Sequence, residues 1–138
     1  MESQAWPRSR PGRAAAAKIA AMIVVFGIPN CDTVKKARVW LSDHGIEHQF
    51  HDFKKHGLDS QQLAQWAQTL GWERLLNRQG STWRKLDATV QAAVSDSASA
   101  CQLMLSQTSL IKRPVVQWPQ RLSVGFDAGQ WQAWIEGS

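Results

Sequence analysis

The sequence contains no tyrosine, only two cysteines, and no apolar run close to the ~20 residues that span a bilayer. Two cysteines so far apart do not form the disulfide framework of a small secreted protein. Since no secretory signal is recognisable either, we expect a reducing, cytoplasmic location in which both cysteines rest as thiols. Metal-ligand spacing is also missing, because the four histidines are spread over one predicted strand and its flanks. What is present, 43% hydrophobic and 20% charged residues in a chain of 138, is typical of a globular domain.

The net charge of +5 is concentrated at the N-terminus. Residues 1–21 carry four cations against Glu2, which accounts for +3 and leaves +2 for the rest of the chain. This segment lacks both an amphipathic period and the continuous apolar core of a secretory signal. We expect it to be a disordered extension, or the product of a misassigned upstream start, before a single domain over residues 22–138. A basic arm for an acidic partner and a transit-type peptide are the alternatives.

The first part of the domain has a β-α-β pattern. Residues 22–26 form a short unbroken apolar run, which predicts a central strand buried on both faces. Pro29 cannot continue a strand ladder and therefore marks a turn. Apolar residues at helical spacing predict a helix over 33–44, and a weaker strand follows over 47–53. The crossover between the two strands should be parallel and right-handed.

A helical block follows, at about residues 56–110, and the chain then returns to strand. In the last helix of this block Cys101 lies on an apolar face and is expected to be a small core residue. Residues 114–118 and 121–126 flank a Pro-Gln turn, which predicts an antiparallel hairpin. Asp127 caps a final helix. The pattern therefore predicts an α/β fold in which β-α-β and β-β-α parts share one mixed sheet, with the tryptophans packed in its core.

Cys31 is the residue whose position favours reactivity. It follows the predicted buried strand in a tight turn that opens a helix, where backbone N–H groups and the positive end of the helix dipole meet. Both stabilise a thiolate, which is the nucleophilic form of cysteine. Lys35 and Lys36 would add to this effect, whereas Asp32 would oppose it. The alternative is an inert cysteine that fills the turn.

Arginines at two further places could serve such a site. Arg113 precedes Pro114 and is therefore held extended, so that it could stabilise a thiolate or bind an anion with two parallel hydrogen bonds. Arg78 and Arg84 surround a polar loop and matter only if the helical block folds over the cysteine turn. For each arginine, the alternative is an ordinary solvated side chain.

Four motifs resemble the arsenate reductase (ArsC) family, and within it most closely the YffB subgroup. In chain order they are FGIPNCDTVKKAR (26–38), LLN (75–77), TWRKL (82–86) and LIKRP (110–114). The resemblance covers nearly the whole chain from Met22 onward. It implies a thioredoxin-like fold with a helical insertion, a nucleophilic Cys31, an adjacent Arg113 and a cis Pro114.

Two departures from the family pattern bear on function. Arsenate reductases use additional arginines to hold the oxyanion, and these positions correspond here to Asn77 and to the neighbourhood of Val124 and Gly125. Each missing arginine removes charge-assisted hydrogen bonds worth about 1.5–3 kcal/mol. Thioredoxins, and the regulator Spx within this family, carry a second cysteine three residues after the first, where this chain has Val34. Cys31 thus lacks a local resolving partner, and an outside thiol must release any mixed disulfide that forms on it.

The sequence therefore predicts a glutathione-dependent thiol–disulfide oxidoreductase with a single nucleophilic cysteine. No tightly bound cofactor is expected; glutathione is the predicted co-substrate, beside a small-molecule or protein disulfide, with no metal and no membrane. The alternative is a non-catalytic, Spx-like regulator that binds RNA polymerase, and arsenate reduction is the third and least favoured reading. The catalytic candidates are Cys31 and Arg113. The substrate-binding candidates are Asn30, Thr33, Arg78, Arg84 and Pro114.

Overall fold

A computed structural model describes residues 23–136; Met22 and the predicted extension over 1–21 lie outside them. The strands are β1 (Val24–Gly27), β2 (Gln49–Asp52), β3 (Val115–Gln117) and β4 (Leu122–Val124). The α-helices are α1 (Asp32–Asp43), α2 (Phe53–His56), α3 (Ser60–Leu70), α4 (Trp72–Leu75), α5 (Ser81–Arg84), α6 (Ala88–Ala92), α7 (Ser97–Ser106) and α8 (Ala128–Ile135), with a 3-10 helix at Thr108–Leu110. Within the described range, no helix combines the length and apolarity needed to cross a membrane.

The described residues form two compact units, and the first, residues 23–51 and 113–136, contains the sheet except for the last residue of β2. Its strand order is β2-β1-β3-β4. β3 pairs antiparallel with both neighbours, so that Val115 lies opposite Phe26 on one side and Val124 on the other. The predicted hairpin and the β-α-β then β-β-α order are confirmed, which makes this an α/β fold of the thioredoxin type.

One apolar core holds this sheet unit together. It joins side chains from β1, α1, β3 and α8, with Val25 and Leu41 fully buried and Trp131 nearly so. The spacing of Val34, Ala37 and Leu41 gives α1 its buried face, as the sequence predicts. Trp131 packs edge-to-face against Trp40, Trp118 and Phe126, which is the arrangement that aromatic quadrupoles favour.

The second unit, residues 52–112, contains the helices α2 to α7. Helix α3 packs against α4 and α7, and the side chains buried from these three helices are Leu63, Trp66, Ala67, Leu75, Ala100 and Met104. Asp59 accepts a hydrogen bond from the N–H of Gln61 and caps α3. Helix α7 begins with a capping box in which Asp96 and Ser99 bond each other's backbone N–H groups.

Three details differ from the sequence predictions. Phe53 does not extend β2 but begins α2, because the Asp52 carboxylate accepts hydrogen bonds from the N–H groups of Lys54 and Lys55 and so starts a helical turn. Cys101 is only half-buried, since Ala100 and Met104 form the buried face of α7. Helix α6 lies within the predicted helical block, but no separate helix was predicted over its residues.

Candidate active site

The turn after β1 places Cys31 directly before the first residue of α1. Gly27 ends the strand, and the N–H of Cys31 bonds the carbonyl of Ile28 at 3.4 Å across the turn. The backbone of Cys31 is extended (φ −93°, ψ 122°), and its carbonyl accepts the first helical hydrogen bond, from the N–H of Lys35, at 3.0 Å. Cys31 is therefore the N-cap residue of a 12-residue helix, at the strand–helix junction that the sequence predicts.

Two backbone N–H groups of α1 act on the Cys31 sulfur. They belong to Thr33 and Val34, the second and third residues of the helix, which are the groups that an N-cap side chain ordinarily receives. The side chain makes no capping hydrogen bond of strict geometry, so the two N–H groups act on the sulfur chiefly as fixed dipoles. A dipole stabilises a charged sulfur more than a neutral one, and the arrangement therefore favours the thiolate.

Arg113 reaches the same sulfur from the start of β3. The Arg113–Pro114 peptide bond is cis, as the family resemblance implies. Pro114 is buried, and its carbonyl accepts a 2.8 Å hydrogen bond from the N–H of Gly125 beyond β4. The residue after Pro114, Val115, pairs with Phe26 near the end of β1, so the chain directly after Arg113 is held in the sheet. The half-buried Arg113 donates a hydrogen bond from its guanidinium to the Cys31 sulfur.

The balance of these contacts sets the charge of the thiol. Partial burial of Cys31 raises its pKa, and this is the largest single effect on it. The N–H of Val34, the hydrogen bond and the positive charge of Arg113, and the N–H of Thr33 together outweigh burial, so that the pKa of Cys31 lies below its ordinary value. The cation that lowers the pKa of Cys31 is thus Arg113, which the sequence analysis names as a catalytic candidate, with Lys35 and Lys36 as additional contributors.

The other predicted substrate residues are divided between the two units. Asn30 directly precedes Cys31 in the turn, Thr33 is the second residue of α1, and both are exposed. Thr33 acts on the sulfur through its backbone N–H, while the sequence reasoning had considered its hydroxyl. Arg78 and Arg84 are exposed residues of the helical unit. That they bind substrate at the Cys31 site stays a prediction.

Sequence reasoning named no residue for the backbone contribution to the site, and Val34 is the residue it missed. The signal was available, because an N-cap at Cys31 makes Thr33 and Val34 the second and third helical residues, whose N–H groups face the cap. Within residues 23–136 no three His, Cys, Asp or Glu side chains form a group able to hold a metal ion.

Comparison with known proteins places this site in a family. The ArsC family profile matches residues 26–134. An uncharacterized protein of Haemophilus influenzae is 43% identical over 112 residues, which are 81% of this chain and 97% of that protein. The solved structure of a protein called YFFB superposes with a TM-score of 0.78 at 45% identity, over 82% of this chain and 98% of that one. The global transcriptional regulator Spx of Streptococcus agalactiae is 27% identical over 116 residues, 83% of each chain.

Proposed function

Because this chain belongs to the ArsC family, we propose that it is a thiol–disulfide oxidoreductase with Cys31 as its single nucleophile and glutathione as its co-substrate. The observation that carries the proposal is the contact between the Cys31 sulfur and Arg113 at a helix N-terminus, which lowers the pKa of the thiol. A cysteine held in this way has a larger thiolate fraction near neutral pH than a free cysteine has.

The proposed reaction has two exchange steps. In the first, the Cys31 thiolate attacks the glutathionyl sulfur of a mixed disulfide R–S–S–G; a bond forms between the two sulfurs, and R–S⁻ leaves and takes a proton from water. In the second, the thiolate of another glutathione attacks that glutathionyl sulfur, and oxidised glutathione leaves while the Cys31 thiolate is restored. The sum is R–S–S–G plus glutathione giving R–SH plus oxidised glutathione, which balances in atoms and electrons.

The same contacts serve both steps. In the first step Arg113 and the N–H groups of Thr33 and Val34 keep Cys31 ionised for attack. In the second step Cys31 is the leaving group, and a thiol of lowered pKa leaves faster. Arg113 is therefore proposed as a catalytic residue, since its guanidinium touches the reacting sulfur.

An external thiol is proposed because the chain offers no local one. The third residue after Cys31 is Val34, whose side chain is fully buried. Cys101 belongs to the helical unit, where its Sγ lies 4.0 Å from the hydroxyl of Ser97. Glutathione is the thiol proposed to release the mixed disulfide. Its peptide would lie along Asn30, Thr33 and Pro114.

The experiment is an exchange assay in a Cys101→Ser background, so that Cys31 is the one thiol. The rate of alkylation by iodoacetamide is measured against pH, and intact mass is recorded after exposure to oxidised glutathione. We expect a midpoint below the ~8.5 of a free cysteine and one glutathione on Cys31. Arg113→Gln should raise the midpoint and slow deglutathionylation of a test peptide on the order of tenfold, since a hydrogen bond to a charged group is lost.

Arg121→Gln is the matched control, because Arg121 is another arginine of the sheet unit and is exposed. It should leave the midpoint and the rate unchanged. A midpoint near that of free cysteine, together with no glutathione adduct, would falsify the proposal.

The Spx relative motivates a second candidate, a regulator that binds RNA polymerase without chemistry at Cys31. Binding of purified polymerase by the Cys31→Ser variant at the level of the wild type, without any exchange activity in the wild type, would favour this candidate. Arsenate reduction ranks third. The family resemblance implies that arsenate reductases carry an arginine at the position of Asn77. Steady arsenate turnover with glutathione would reverse that order.

A further inference from the structure

An exposed arginine in the helical unit is held by two aromatic rings. The guanidinium carbon of Arg78 lies 5.2 Å from the ring centre of Trp72 and 5.9 Å from that of Trp83. Both distances are within the range of cation–π attraction, and both tryptophans are half-buried. Rings of limited mobility restrict the guanidinium while its N–H donors remain at the surface.

The loop that carries Arg78 is itself fixed. The side-chain oxygen of Asn77 accepts a 3.0 Å hydrogen bond from the N–H of Gln79, and the N–H of Asn77 bonds the carbonyl of Leu110 at 2.8 Å. Gly80 approaches so closely that a Cβ atom there would lie 2.9 Å from Nδ2 of Asn77. The backbone on either side of Arg78 is therefore held by its neighbours, and little conformational entropy is left to lose when the arginine binds a ligand.

Positive charge surrounds this position along the chain. Arg74 on α4, Arg78 in the loop, Arg84 on α5 and Lys85 directly after it are all exposed. Residues 74–86 contain no acidic side chain, and the exposed Glu73 and Asp87 border this stretch at its two ends. We call these four cations the Arg78 surface. Several cations without interspersed carboxylates attract an anion and reject another cationic surface.

We propose that the Arg78 surface binds an acidic segment of a polypeptide partner. The proposal goes beyond the thiol chemistry, because it needs neither Cys31 nor glutathione. A guanidinium presents a planar fork of donors that matches a carboxylate with two parallel hydrogen bonds, and the restraint by Trp72 and Trp83 prepares that fork in advance. Four cations spread over a helix, a loop and a second helix match the repeated carboxylates of a peptide better than the two of a single glutathione.

The experiment uses the full-length Cys31→Ser variant and a cysteine-free octaglutamate peptide with blocked termini as the probe. Binding is followed by NMR through the side-chain Nε–H of Arg78 and the indole N–H signals of Trp72 and Trp83. We expect saturable shifts of these signals and weaker binding as salt rises. Arg78→Gln should weaken binding by about tenfold, and Arg78→Lys should weaken it nearly as much, because lysine keeps the charge but lacks the planar fork.

Arg121→Gln provides the matched control, since Arg121 also lies over a tryptophan, at 4.5 Å from the ring of Trp134, but in the sheet unit. It should bind the peptide as the wild type does. Equal losses in Arg78→Gln and Arg121→Gln would overturn the proposal, because binding would then follow net charge alone. It would also be overturned if glutathione or a thymidine oligonucleotide bound more tightly than octaglutamate, or if no saturable shift occurred. Loss of exchange activity at Cys31 in the wild type would leave peptide binding unaffected, so the two proposals fail separately.

Discussion

A Cβ atom placed on Gly27 would lie 2.8 Å from Cγ2 of Val34. Gly27 is the last residue of β1, and Val34 is the fully buried third residue of α1, so the two meet across the turn that carries Cys31. Glycine is required there for the close approach of helix to strand. The contact sets how near the first turn of α1 comes to the end of β1, and with it the position of the N–H groups that act on the sulfur.

Gly27→Ala should therefore damage both stability and the thiol. Val34 is β-branched and stiff, so it cannot rotate away, and overpacking of this kind costs about 1–3 kcal/mol. Displacement of the first turn of α1 should also move the N–H groups of Thr33 and Val34 from Cys31 and raise its pKa. Urea unfolding and the pH dependence of alkylation measure the two effects.

Two further variants test whether the clash is the cause. Adding Val34→Ala to Gly27→Ala removes the offending methyl groups, so the two changes should couple favourably in a double-mutant cycle. Gly129→Ala is the control, because a Cβ there meets nothing closer than an Asp127 oxygen at 3.5 Å. Additive losses in the cycle would contradict the steric explanation.

Ionisation of Cys31 should make stability depend on pH. The fold lowers the pKa of this thiol below its value of ~8.5 in the unfolded chain. Between the two values the folded state binds fewer protons, so its stability rises with pH through that window. The contribution is fully present above the unfolded pKa and is lost as pH falls through the folded one.

The measurement compares the unfolding free energies of the Cys101→Ser protein and the Cys101→Ser/Cys31→Ser protein under reducing conditions, from about pH 6 to about pH 9.5. The difference between them should grow in favour of Cys31 as the pH rises. A difference that stays constant, or that shrinks toward high pH, would show that the fold does not stabilise the thiolate.

The parts of this molecule that the sequence predicts are those set by local rules. The apolar run before Gly27 and the spacing of Val34, Ala37 and Leu41 give β1 and α1, and their junction gives the place of Cys31. The approach of Arg113 depends on the pairing of β1 with β3, which is a long-range contact, so residue patterns alone left Arg113 equally well explained as a surface side chain. The family resemblance, rather than any local signal, favoured its place beside the cysteine.

The features that the sequence predicted wrongly also have local physical causes. Phe53 fits a strand by residue type, but the carboxylate of Asp52, the last residue of β2, accepts hydrogen bonds from two N–H groups and so begins a helix at Phe53. Helix α7 is apolar on more than one side, so its sequence does not determine which residues face inward, and Cys101 is half-buried as a result. The close approach of Gly27 to Val34 has no sequence signature, because glycine ends many strands for other reasons.

Ser123→Ala should destabilise the sheet unit more than its small change in size suggests. Ser123 is buried in β4, and its hydroxyl accepts a 2.9 Å hydrogen bond from the indole N–H of Trp118. Removing the acceptor leaves a buried donor without its bond, which costs about 1–3 kcal/mol. Ser106→Ala is the control, since the exposed Ser106 hydroxyl bonds only the nearby carbonyl of Leu103, and its loss should stay within about 0.5 kcal/mol. Equal unfolding free energies for the two variants would show that solvent satisfies the Trp118 indole.

Val34→Cys should convert the proposed single-thiol chemistry into that of a dithiol. The backbone N–H of residue 34 lowers the pKa of Cys31, so the two residues are neighbours at the N-terminus of α1. Cysteine is not β-branched, and its side chain can therefore turn from Gly27 toward Cys31, at a cost in packing of about 1 kcal/mol.

In a Cys101→Ser background, oxidised glutathione should leave a lasting adduct on the protein with Val34 intact. In the Val34→Cys variant the new thiol should attack Cys31, release glutathione and leave an internal disulfide, seen in the intact mass as the loss of two hydrogens without added glutathione. Val34→Ala controls for the lost packing and should keep the adduct. A stable glutathione adduct on Val34→Cys would mean that position 34 does not reach the sulfur. The lack of a second cysteine would then not be the reason why this site depends on an outside thiol.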